Sequence, residues 1–339
     1  MCLITITIVF VKIIVTGCFG FIGFNFIKYI FKNYPNDFNV IGIDNLNNSC
    51  SILNKEMFND NNFTHIDLNI NDINQLENKD YDMIINFAAE SHVDNSISDP
   101  VSFVRTNTLG TLNLLNYAKS NNIDRFIHIS TDEVYGSSKT KFFEESDKFN
   151  PSSPYSASKA SAEHLCNAFK KTYGQKVTIL RPCNNYGTYQ QPEKMIPFSI
   201  LNLINDKKIE VYGDGRNVRN WIHVNDTSNA ILHVISNKYE NEVFNVSTDF
   251  FISNYELSFK IARSMGFDEN RISFIDDRPG HDFRYAASND NLIKTGWKPH
   301  HNFDTSLKEI IEWYMKNTKW WDKEFINANK NRKKRFNLN

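Results

Sequence analysis

Two short segments of the sequence hold side chains that could oxidise an alcohol and then remove water from the same molecule. The first is Thr131–Gly136 (TDEVYG), with a hydroxyl and two carboxyl groups, and the second contains Tyr155 and Lys159. Residues four apart share one face of a helix, so the phenol and the ammonium would lie side by side. Beside a hydride acceptor, a phenol base and two further carboxylates can support oxidation, elimination of water and a second reduction. The combination therefore indicates more than simple alcohol oxidation.

Tyr155 and Lys159 suit the removal of a proton from a sugar hydroxyl. A free tyrosine has a pKa of about 10 and is a poor base near neutral pH. Lys159 and a positively charged nicotinamide would stabilise the phenolate of Tyr155 and lower its pKa. Thr131, at the end of the preceding predicted strand, could hydrogen-bond the same hydroxyl.

Asp132 and Glu133 lead to the prediction of elimination. Once C4 of a hexose is a ketone, the proton on C5 becomes acidic, and Glu133 is placed to remove it. Asp132, if protonated, could donate to the departing C6 hydroxyl. The alternative is a strand-end turn that carries two solvated carboxylates.

These residues need a scaffold, and the first half of the chain alternates apolar strand-like runs with segments of helical periodicity. The predicted strands are Val11–Thr16, Phe38–Ile43, Phe63–Ile66, Asp82–Phe87, Arg125–Ser130 and Val177–Leu180, and the predicted helices are Phe21–Phe31, Val101–Ser120 and Ser156–Tyr173. This alternation predicts an α/β fold, a Rossmann-type doubly wound parallel sheet, with a smaller, interleaved C-terminal lobe for the substrate. We expect an extension over residues 1–10, a cofactor domain over 11–183, a mainly substrate-binding lobe over 184–322 and a basic tail over 323–339.

The first predicted strand runs into a glycine-rich turn that opens a helix. Gly17, Gly20 and Gly23 form a GxxGxxG pattern, and Asp44 ends the next strand. Such glycines allow a tight turn and a close approach of a pyrophosphate to the helix N-terminus. A carboxylate at Asp44 would accept hydrogen bonds from both ribose hydroxyls and repel a 2'-phosphate, so NAD is favoured over NADP. The alternative is a structural turn with a solvated Asp44.

Three further segments would lie along the same groove. Asp67 and Leu68 follow the third strand, where adenine would lie, whereas Phe87, Ala88 and Ala89 follow the fourth. Thr106 and Asn107 lie on the next helix. The end of a helix or strand explains each segment nearly as well.

Composition narrows the class of protein. The 339 residues carry a net charge of -1, which gives no electrostatic reason for binding nucleic acid or a membrane. The five cysteines lack CxxC spacing, so we expect no metal site or disulfide framework, and a reducing cytoplasm. The apolar run Met1–Val11 is too short to span a membrane. The basic residues near the C-terminus predict a solvated, disordered tail.

At this level of detail the chain resembles the extended short-chain dehydrogenases/reductases, and more closely the dTDP-glucose 4,6-dehydratase family. The match runs from Lys12 to about Trp313. Its blocks are TGCFGFIG (Thr16–Gly23), FAAESHVDNSI (Phe87–Ile97), STDEVYG (Ser130–Gly136), PYSASKASAE (Pro154–Glu163), NNYGTYQQPEKMIP (Asn184–Pro197), VYGDGRNVRNWIHVND (Val211–Asp226) and DRPGHDFRY (Asp277–Tyr285).

The resemblance implies an NAD-dependent hydro-lyase of deoxysugar or rhamnose synthesis whose catalytic residues are Thr131, Asp132, Glu133, Tyr155 and Lys159. The cofactor would also contact Phe21, Ile22, Asn45, Leu46, Ser91 and Asn185. The nucleotide sugar would be held by Ser91, Thr131, Asn184, Lys194, Met195, Ile196, Pro197, Tyr212, Arg219, Asn254, Arg278 and His281. The helices Val101–Ser120 and Ser156–Tyr173 would pair across a two-fold axis into a four-helix bundle, giving a homodimer; alternatively they only cover the sheet.

Three alternatives stay open from the sequence. The segment Asn45–Cys50, PEKMIP and HVDNS resemble a branch that acts on UDP-glucose, whereas RPGHD resembles the dTDP branch. The two bases differ by one methyl group, which a pocket discriminates weakly. The fold could also serve a UDP-hexose 4-epimerase or decarboxylase, although these need no acid–base pair beside Thr131. A non-catalytic NAD-binding protein is a third possibility, which predicts loss of residues that are present here.

Overall fold

The computed structural model describes residues 11–46, 52–58 and 60–335 of the chain. The predicted extension over residues 1–10, the segment Asn47–Cys50 and residues 336–339 of the predicted tail lie outside the described residues. In the described ranges the strands are β1 (Val11–Thr16), β2 (Phe38–Asp44), β3 (Phe63–Asp67), β4 (Met83–Asn86), β5 (Arg125–Ile129), β6 (Lys176–Pro182), β7 (Asn184–Tyr186), β8 (Ile209–Tyr212), β9 (Val218–His223), β10 (Val243–Val246), β11 (Phe251–Ser253) and β12 (Ile272–Ile275). The α-helices are α1 (Phe21–Asn33), α2 (Ile52–Glu56), α3 (Val93–Ser98), α4 (Pro100–Phe103), α5 (Thr111–Ser120), α6 (Pro154–Tyr173), α7 (Met195–Ile204), α8 (Val224–Ser236), α9 (Asn254–Ser264), α10 (Asp290–Lys294), α11 (Phe303–Lys316) and α12 (Thr318–Arg335).

A seven-stranded parallel sheet with strand order β10-β6-β5-β4-β1-β2-β3 organises the cofactor half. Helices α1 and α8 contribute to the apolar core on one face of the sheet, and α5 and α6 contribute to the core on the other. The strand order reverses between β1 and β4, and ligands of such sheets bind in the crevice at this reversal. The predicted doubly wound fold is confirmed.

Each of the six predicted strands overlaps an observed strand, and β1 has the predicted bounds. The predicted helix Ser156–Tyr173 starts earlier, at Pro154, because Ser153 caps it in a reciprocal capping box with Ser156. Gly174, with a φ of 68°, ends it in the left-handed conformation. The helix that carries Tyr155 and Lys159 is therefore fixed at both ends.

The predicted helix Val101–Ser120 is interrupted by a π-helical segment over Val104–Gly110, between α4 and α5. Within it, the amide of Asn107 donates to the carbonyl of Glu90 at 3.0 Å and to the hydroxyl of Ser158 at 2.9 Å. Its side-chain oxygen accepts from the backbone N–H of Glu90 at 2.9 Å. The widened turn thus ties the loop after β4 to the helix of Tyr155, a common position for such π turns.

The C-terminal half builds a smaller lobe and also returns to the first. A three-stranded sheet (β11-β9-β7) and the pair β12-β8 belong to the lobe, whose core includes residues of α7, α9, α11 and α12. By contrast, β10 completes the large sheet beside β6, and α8 packs on α1. Because β10 and α8 belong to the cofactor half, the C-terminal part of the chain is interleaved with it, as the sequence predicted.

The prediction of a disordered tail from residue 323 is wrong for its first part, because α12 continues through this region. Phe325 is buried and lies 5.8 Å from the ring of Phe198, centroid to centroid. Trp320 and Trp321 are also buried and anchor the start of the helix. Apolar residues spaced one turn apart thus hold a segment whose charges suggested a solvated tail.

The described residues contain no helix that is long and apolar enough to cross a membrane. In the same ranges, we find no cluster of three or more His, Cys, Asp or Glu side chains arranged to hold a metal ion.

A buried ion pair joins α6 to β6 directly behind the strand ends. Arg181 donates to the carboxylate of Glu163 from Nη2 at 2.6 Å and from Nε at 3.0 Å, and the two side chains are 3% and 0% exposed. Ser130 donates to the same carboxylate at 2.5 Å. The pair therefore connects the catalytic helix to the residue before Thr131.

Replacing Glu163 with alanine is expected to lower the free energy of unfolding by about 3–5 kcal/mol, because Arg181 would remain buried without its partner. Urea denaturation followed by circular dichroism measures the change. Asp124→Ala is the matched control: it removes one of the two carboxylates paired with Lys176 at the surface and should change the free energy of unfolding little. An equally small effect of both substitutions would contradict the prediction.

Candidate active site

The carboxyl ends of β1, β2, β4, β5 and β6 open into a cavity of about 300 Å³, here named the first cavity. Its volume lies at the lower end of the range typical of ligand pockets. Its lining includes Gly17, Gly20, Phe21, Ile22, Gly23, Asp44, Asn45, Leu68, Phe87, Ala88, Ala89, Ser91, Thr106, Thr131, Asp132, Glu133, Tyr155, Lys159, Asn184, Asn185, Lys194 and Met195. The structure thus brings the predicted cofactor and catalytic residues to one place.

The glycine-rich turn leaves space only for a backbone without side chains. Gly17 has a φ of 67°, and a Cβ there would lie 2.7 Å from the nitrogen of Ala88. A Cβ on Gly23 would lie 2.3 Å from the carbonyl oxygen of Gly17. Gly20 is the N-cap of α1 and has no side chain to satisfy the first N–H groups of the helix. These N–H groups and the positive end of the helix dipole fit a pyrophosphate.

Asp44 is held at the end of β2 by two backbone N–H groups. Its Oδ2 accepts from Phe19 and its Oδ1 from Leu46, both at 3.0 Å. The carboxylate is buried and lines the first cavity, and each oxygen of a carboxylate can accept more than one hydrogen bond. This geometry fits the two hydroxyls of a ribose and opposes a phosphate at the same position. The residues present therefore fit NAD.

Tyr155 and Lys159 face the cavity from one side of α6. Lys159 is buried, and its Nζ donates to the carbonyl of Ile129 at 2.7 Å. Burial lowers the pKa of Lys159 to about 8, and Glu163 opposes this shift. Burial and the charge of Glu133 raise the pKa of Tyr155, whereas a hydrogen bond with Thr131 acts to lower it.

The lowering of the Tyr155 pKa that we expect from Lys159 together with a bound nicotinamide stays a prediction. The ammonium is engaged by the end of β5, and burial outweighs the hydrogen bond to Thr131. A positive charge brought beside the phenol is still needed to make Tyr155 a base.

Thr131, Asp132 and Glu133 form the turn that follows β5. Thr131 caps a short 3₁₀ helix by accepting from the N–H of Glu133 at 3.2 Å. Asp132 is buried, and its Oδ2 has no hydrogen-bond partner within the described ranges. Burial and then the charge of Glu133 raise the pKa of Asp132 well above its ordinary value. A carboxyl group that stays protonated can donate a proton, which is the condition that the predicted role of Asp132 requires.

Glu133 is partly buried beside Asp132, and its environment differs. Burial raises its pKa, but the guanidinium groups of Arg219 and Arg278 oppose this shift. Tyr285 donates to its Oε2 at 3.3 Å. The two neighbouring carboxyl groups therefore sit in settings that favour one as the acid and the other as the base, a pattern typical of acid–base sites.

A second cavity, of about 200 Å³, continues from the first. Both are lined by Ser91, Glu133, Asn184, Glu193, Lys194, Met195 and Trp221. Beyond these shared residues, the second cavity has Tyr212, Arg219, Asn254, Arg278 and His281 in its wall. The structure thus places the two predicted cofactor- and substrate-binding sets next to each other.

Arg219 and Arg278 contribute two guanidinium groups to the wall of the second cavity. Arg219 is buried with its guanidinium 4.2 Å from the ring centre of Tyr285. Arg278 donates to Asp94 at 2.7 Å, and although burial acts to raise the pKa of Asp94, this partner holds it well below its usual range. Burial, followed by the two arginines, lowers the pKa of His281 to about 4. Two cations near a neutral histidine suit a diphosphate.

Five residues predicted to lie along the groove or contact a ligand do not line either cavity. One is Asn107, whose amide instead bonds Glu90 and Ser158. Asp67 is exposed at the end of β3, and the neighbouring Leu68 takes its place in the wall. Leu46 packs against the sheet core, whereas Ile196 and Pro197 are buried in α7. A sequence motif names consecutive residues, while a helix or strand turns only some of them toward one side. Whether these residues contact a ligand stays a prediction.

Several lining residues were missed, although the quoted sequence blocks contain them. Glu193 stands beside Lys194, Trp221 lies in β9, and Tyr285 ends the block DRPGHDFRY. Tyr285 donates at 2.8 Å to Asp282 as well as to Glu133. The signal that could have identified Tyr285 was its polar side chain at the end of a sequence block that matches the family.

Comparison with known proteins places these features in context. The family model described as "NAD dependent epimerase/dehydratase family" matches residues 13–247. The low-salt glycan biosynthesis protein Agl12 of Haloferax volcanii is 40% identical over 306 residues, which cover 89% of this chain and 98% of that protein. A dTDP-glucose 4,6-dehydratase of Streptomyces niveus is 37% identical and covers 92% of this chain and 95% of its own length. The crystal structure of DesIV (dTDP-glucose 4,6-dehydratase) from Streptomyces venezuelae with NAD and TYD bound superposes with a TM-score of 0.90, at 36% identity over 92% of this chain and 99% of that one.

Proposed function

The chain belongs to the NAD dependent epimerase/dehydratase family, and from this we propose that it is a nucleotide-sugar 4,6-dehydratase with NAD as its cofactor. It would convert dTDP-glucose or UDP-glucose to the 4-keto-6-deoxy sugar. The observation that carries the proposal is the pair of buried Asp132 and partly buried Glu133, next to Tyr155 in one cavity. Oxidation of an alcohol needs only the tyrosine, whereas elimination of water needs both an acid and a base.

The residues divide the reaction among themselves. NAD, when bound, supplies the oxidation at C4 and the later reduction at C6. Tyr155 takes the proton of the C4 hydroxyl, which Thr131 orients by a hydrogen bond. Glu133 removes the C5 proton that the adjacent ketone acidifies, and Asp132 protonates the C6 hydroxyl as it leaves. Each group acts as a general acid or base, a contribution of about 10²–10⁴-fold in rate.

The substrate would extend from the first cavity into the second. The hexose lies beside Glu133 and Asn184, which line both cavities, and the side-chain oxygen of Asn184 has no partner among the described residues. The diphosphate lies near Arg219 and Arg278. We infer that residues 11–183 mainly hold the cofactor and residues 184–322 mainly hold the nucleotide sugar.

A dTDP sugar is the first candidate substrate, because dTDP-glucose 4,6-dehydratases are among the relatives and DesIV was crystallised with TYD. UDP-glucose is the second, since PEKMIP and HVDNS occur in this chain. A 4-epimerase of the same fold would leave Asp132 and Glu133 without a role.

The test is to incubate the purified protein separately with dTDP-glucose and UDP-glucose in deuterated water and to follow the products by NMR. We expect a 4-keto-6-deoxy product with deuterium at C5 and no net NADH. The faster substrate identifies the nucleotide. Formation of a 4-epimer, or no turnover of either sugar, would contradict the proposed function.

Asp132→Asn is expected to slow the natural reaction by about 10²–10⁴-fold, because an amide cannot protonate the C6 hydroxyl. With a C6-fluoro substrate the loss should be much smaller, since fluoride leaves without a proton. The ratio of single-turnover rates for the two substrates measures the effect. Equal slowing of both substrates would refute the role of Asp132 as the acid.

We also propose a homodimer that forms through α4, the π segment and α6. Val101, Val104 and Leu109 are 64%, 52% and 46% exposed on the first two elements. The outer face of α6 carries the small exposed residues Ala157, Ser161 and Ala168. An apolar strip beside small side chains supports close packing of helices from two copies.

Val104→Glu is expected to convert the dimer to a monomer, because it would place a charge in the apolar contact. Size-exclusion chromatography with light scattering measures the mass. Met315→Glu, at a 61% exposed position on α11, is the control and should leave the mass unchanged. A monomeric wild-type protein would disprove the homodimer.

Within the described ranges, Cys18, Cys166 and Cys183 are buried and form no disulfide bond. Free thiols are typical of reducing compartments. They support the proposal that the protein works in the cytoplasm.

A further inference from the structure

The second cavity has a wall residue from the C-terminal helix, which lies beyond the part of the chain that resembles the dehydratases. Ala328 of α12 lines this cavity together with Phe198, Val211 and Tyr212. The family motifs end near Trp313, so this contribution could not be inferred from them. Ala328 can contact a ligand in this cavity only if α12 is held firmly in place.

Two tryptophans fix the start of α12. The indole N–H of Trp320 donates to the side-chain oxygen of Asn54 at 2.8 Å, and that of Trp321 donates to the carbonyl of Tyr314 at 2.7 Å. Both side chains are buried. The helix is thus attached to the cofactor half through Asn54 and to α11 through Tyr314.

Phe325 fixes the next turn of α12. It is 4% exposed, and its ring packs against Phe198, which itself lines the second cavity. Lys207 lies 5.6 Å from the ring centre of Phe325. Residues three apart share a helix face, so the side that packs on Phe198 also presents Ala328.

The wall of the second cavity contains groups suited to both parts of a nucleotide diphosphate. Lys194, Arg219 and Arg278 supply cations for the phosphates. The wall formed by Phe198, Val211, Tyr212 and Ala328 is apolar or aromatic, which suits a flat pyrimidine base. The methyl side chain of Ala328 leaves room that a larger side chain would fill.

We propose that Ala328 contacts the pyrimidine base of the nucleotide sugar, so that α12 sets part of the affinity for the nucleotide half of the substrate. This inference rests on the proposed function, because it assigns the base end of the same site. It makes the C-terminal helix a part of substrate recognition and leaves the chemical steps to the first cavity.

Isothermal titration of the whole protein with dTDP, and separately with UDP, tests the inference without turnover. Ala328→Phe should raise the Kd of the preferred nucleotide by about tenfold or more, because the larger side chain occupies the space of the base. Asn327→Phe introduces the same side chain at the adjacent exposed position and should leave the Kd unchanged. In the catalysed reaction, KM should rise with Ala328→Phe while kcat stays the same, as expected when only ground-state binding is lost.

Equal Kd values for wild type and Ala328→Phe would overturn this inference alone, provided that the wild type binds nucleotide and forms the 4-keto product. A wild type that binds neither dTDP nor UDP would overturn the proposed function as well. If Ala328→Phe does not fold, judged by circular dichroism, Ala328→Leu replaces it. A weaker Kd for the leucine variant, again with no change for Asn327→Leu, would support the contact, and an unchanged Kd would refute it.

Discussion

Replacing Tyr155 with phenylalanine should lower turnover by about 10²–10⁴-fold and abolish the oxidation at C4, because the ring of phenylalanine cannot take the hydroxyl proton. The substitution removes one oxygen from a buried ring, so the fold should persist. Absorbance at 340 nm in a single turnover measures the step directly. No enzyme-bound NADH should appear when the substrate is added.

The pKa of Tyr155 explains why the effect should be large. In the protein alone, burial and the charge of Glu133 raise this pKa, and Lys159 is held by the carbonyl of Ile129. We therefore expect the phenol to act as a base only when a positively charged cofactor lies beside it. The positive charge would stabilise the phenolate and offset the rise in pKa that burial causes. Tyr155 would thus be activated at the moment when oxidation is possible.

Tyr117→Phe is the matched control for this experiment. Tyr117 is equally buried and donates to the carbonyl of Leu76 at 3.3 Å, but it lines neither cavity. Its loss should leave the rate of NADH formation unchanged. Normal NADH formation in Tyr155→Phe would remove the tyrosine from its proposed role.

The elements around Tyr155 show which parts of the fold can be read from sequence. Strand β1, the glycine turn and the helix of Tyr155 depend on residues close together in the chain, such as Ser153 and Gly174 at the ends of α6. Local hydrophobic periodicity and caps specify these elements. Their bounds were therefore predicted to within a few residues.

Features that depend on distant residues were not predicted. Tyr285 reaches Glu133 across 152 positions, and Trp320 reaches Asn54 across 266. The charges near the C-terminus suggested a disordered tail, yet packing of Phe325 on Phe198 stabilises α12 there. Tertiary contacts outweigh local composition in such segments, so sequence patterns alone could not reveal them.

The pair Asp132 and Glu133 could be identified from the sequence alone. The directions of their pKa shifts depend on residues that only the structure places around them. Asp132 is buried, and its Oδ2 has no partner in the described part of the chain, whereas Glu133 faces two arginines and accepts from Tyr285. These surroundings favour Asp132 as the acid and Glu133 as the base. A substitution of Glu133 should therefore affect only the removal of the C5 proton.

Glu133→Gln should leave C4 oxidation intact and slow the removal of the C5 proton by about 10²–10⁴-fold. The amide keeps the size of the side chain and an oxygen that can accept from Tyr285, so the geometry of the site should persist. The 4-keto intermediate and enzyme-bound NADH should therefore accumulate after substrate is added. Rapid-quench mass spectrometry and absorbance at 340 nm measure the two species.

Deuterium incorporation separates this role from a merely structural one. In deuterated water, Glu133→Gln should incorporate deuterium at C5 far more slowly than the wild type, while NADH forms at the normal rate. Glu240→Gln, which changes a carboxylate near Arg125 outside both cavities, should match the wild type in both measurements. Unimpaired incorporation at C5 in Glu133→Gln would show that another group removes the proton, whereas the loss of NADH formation as well would show that Glu133 acts before elimination.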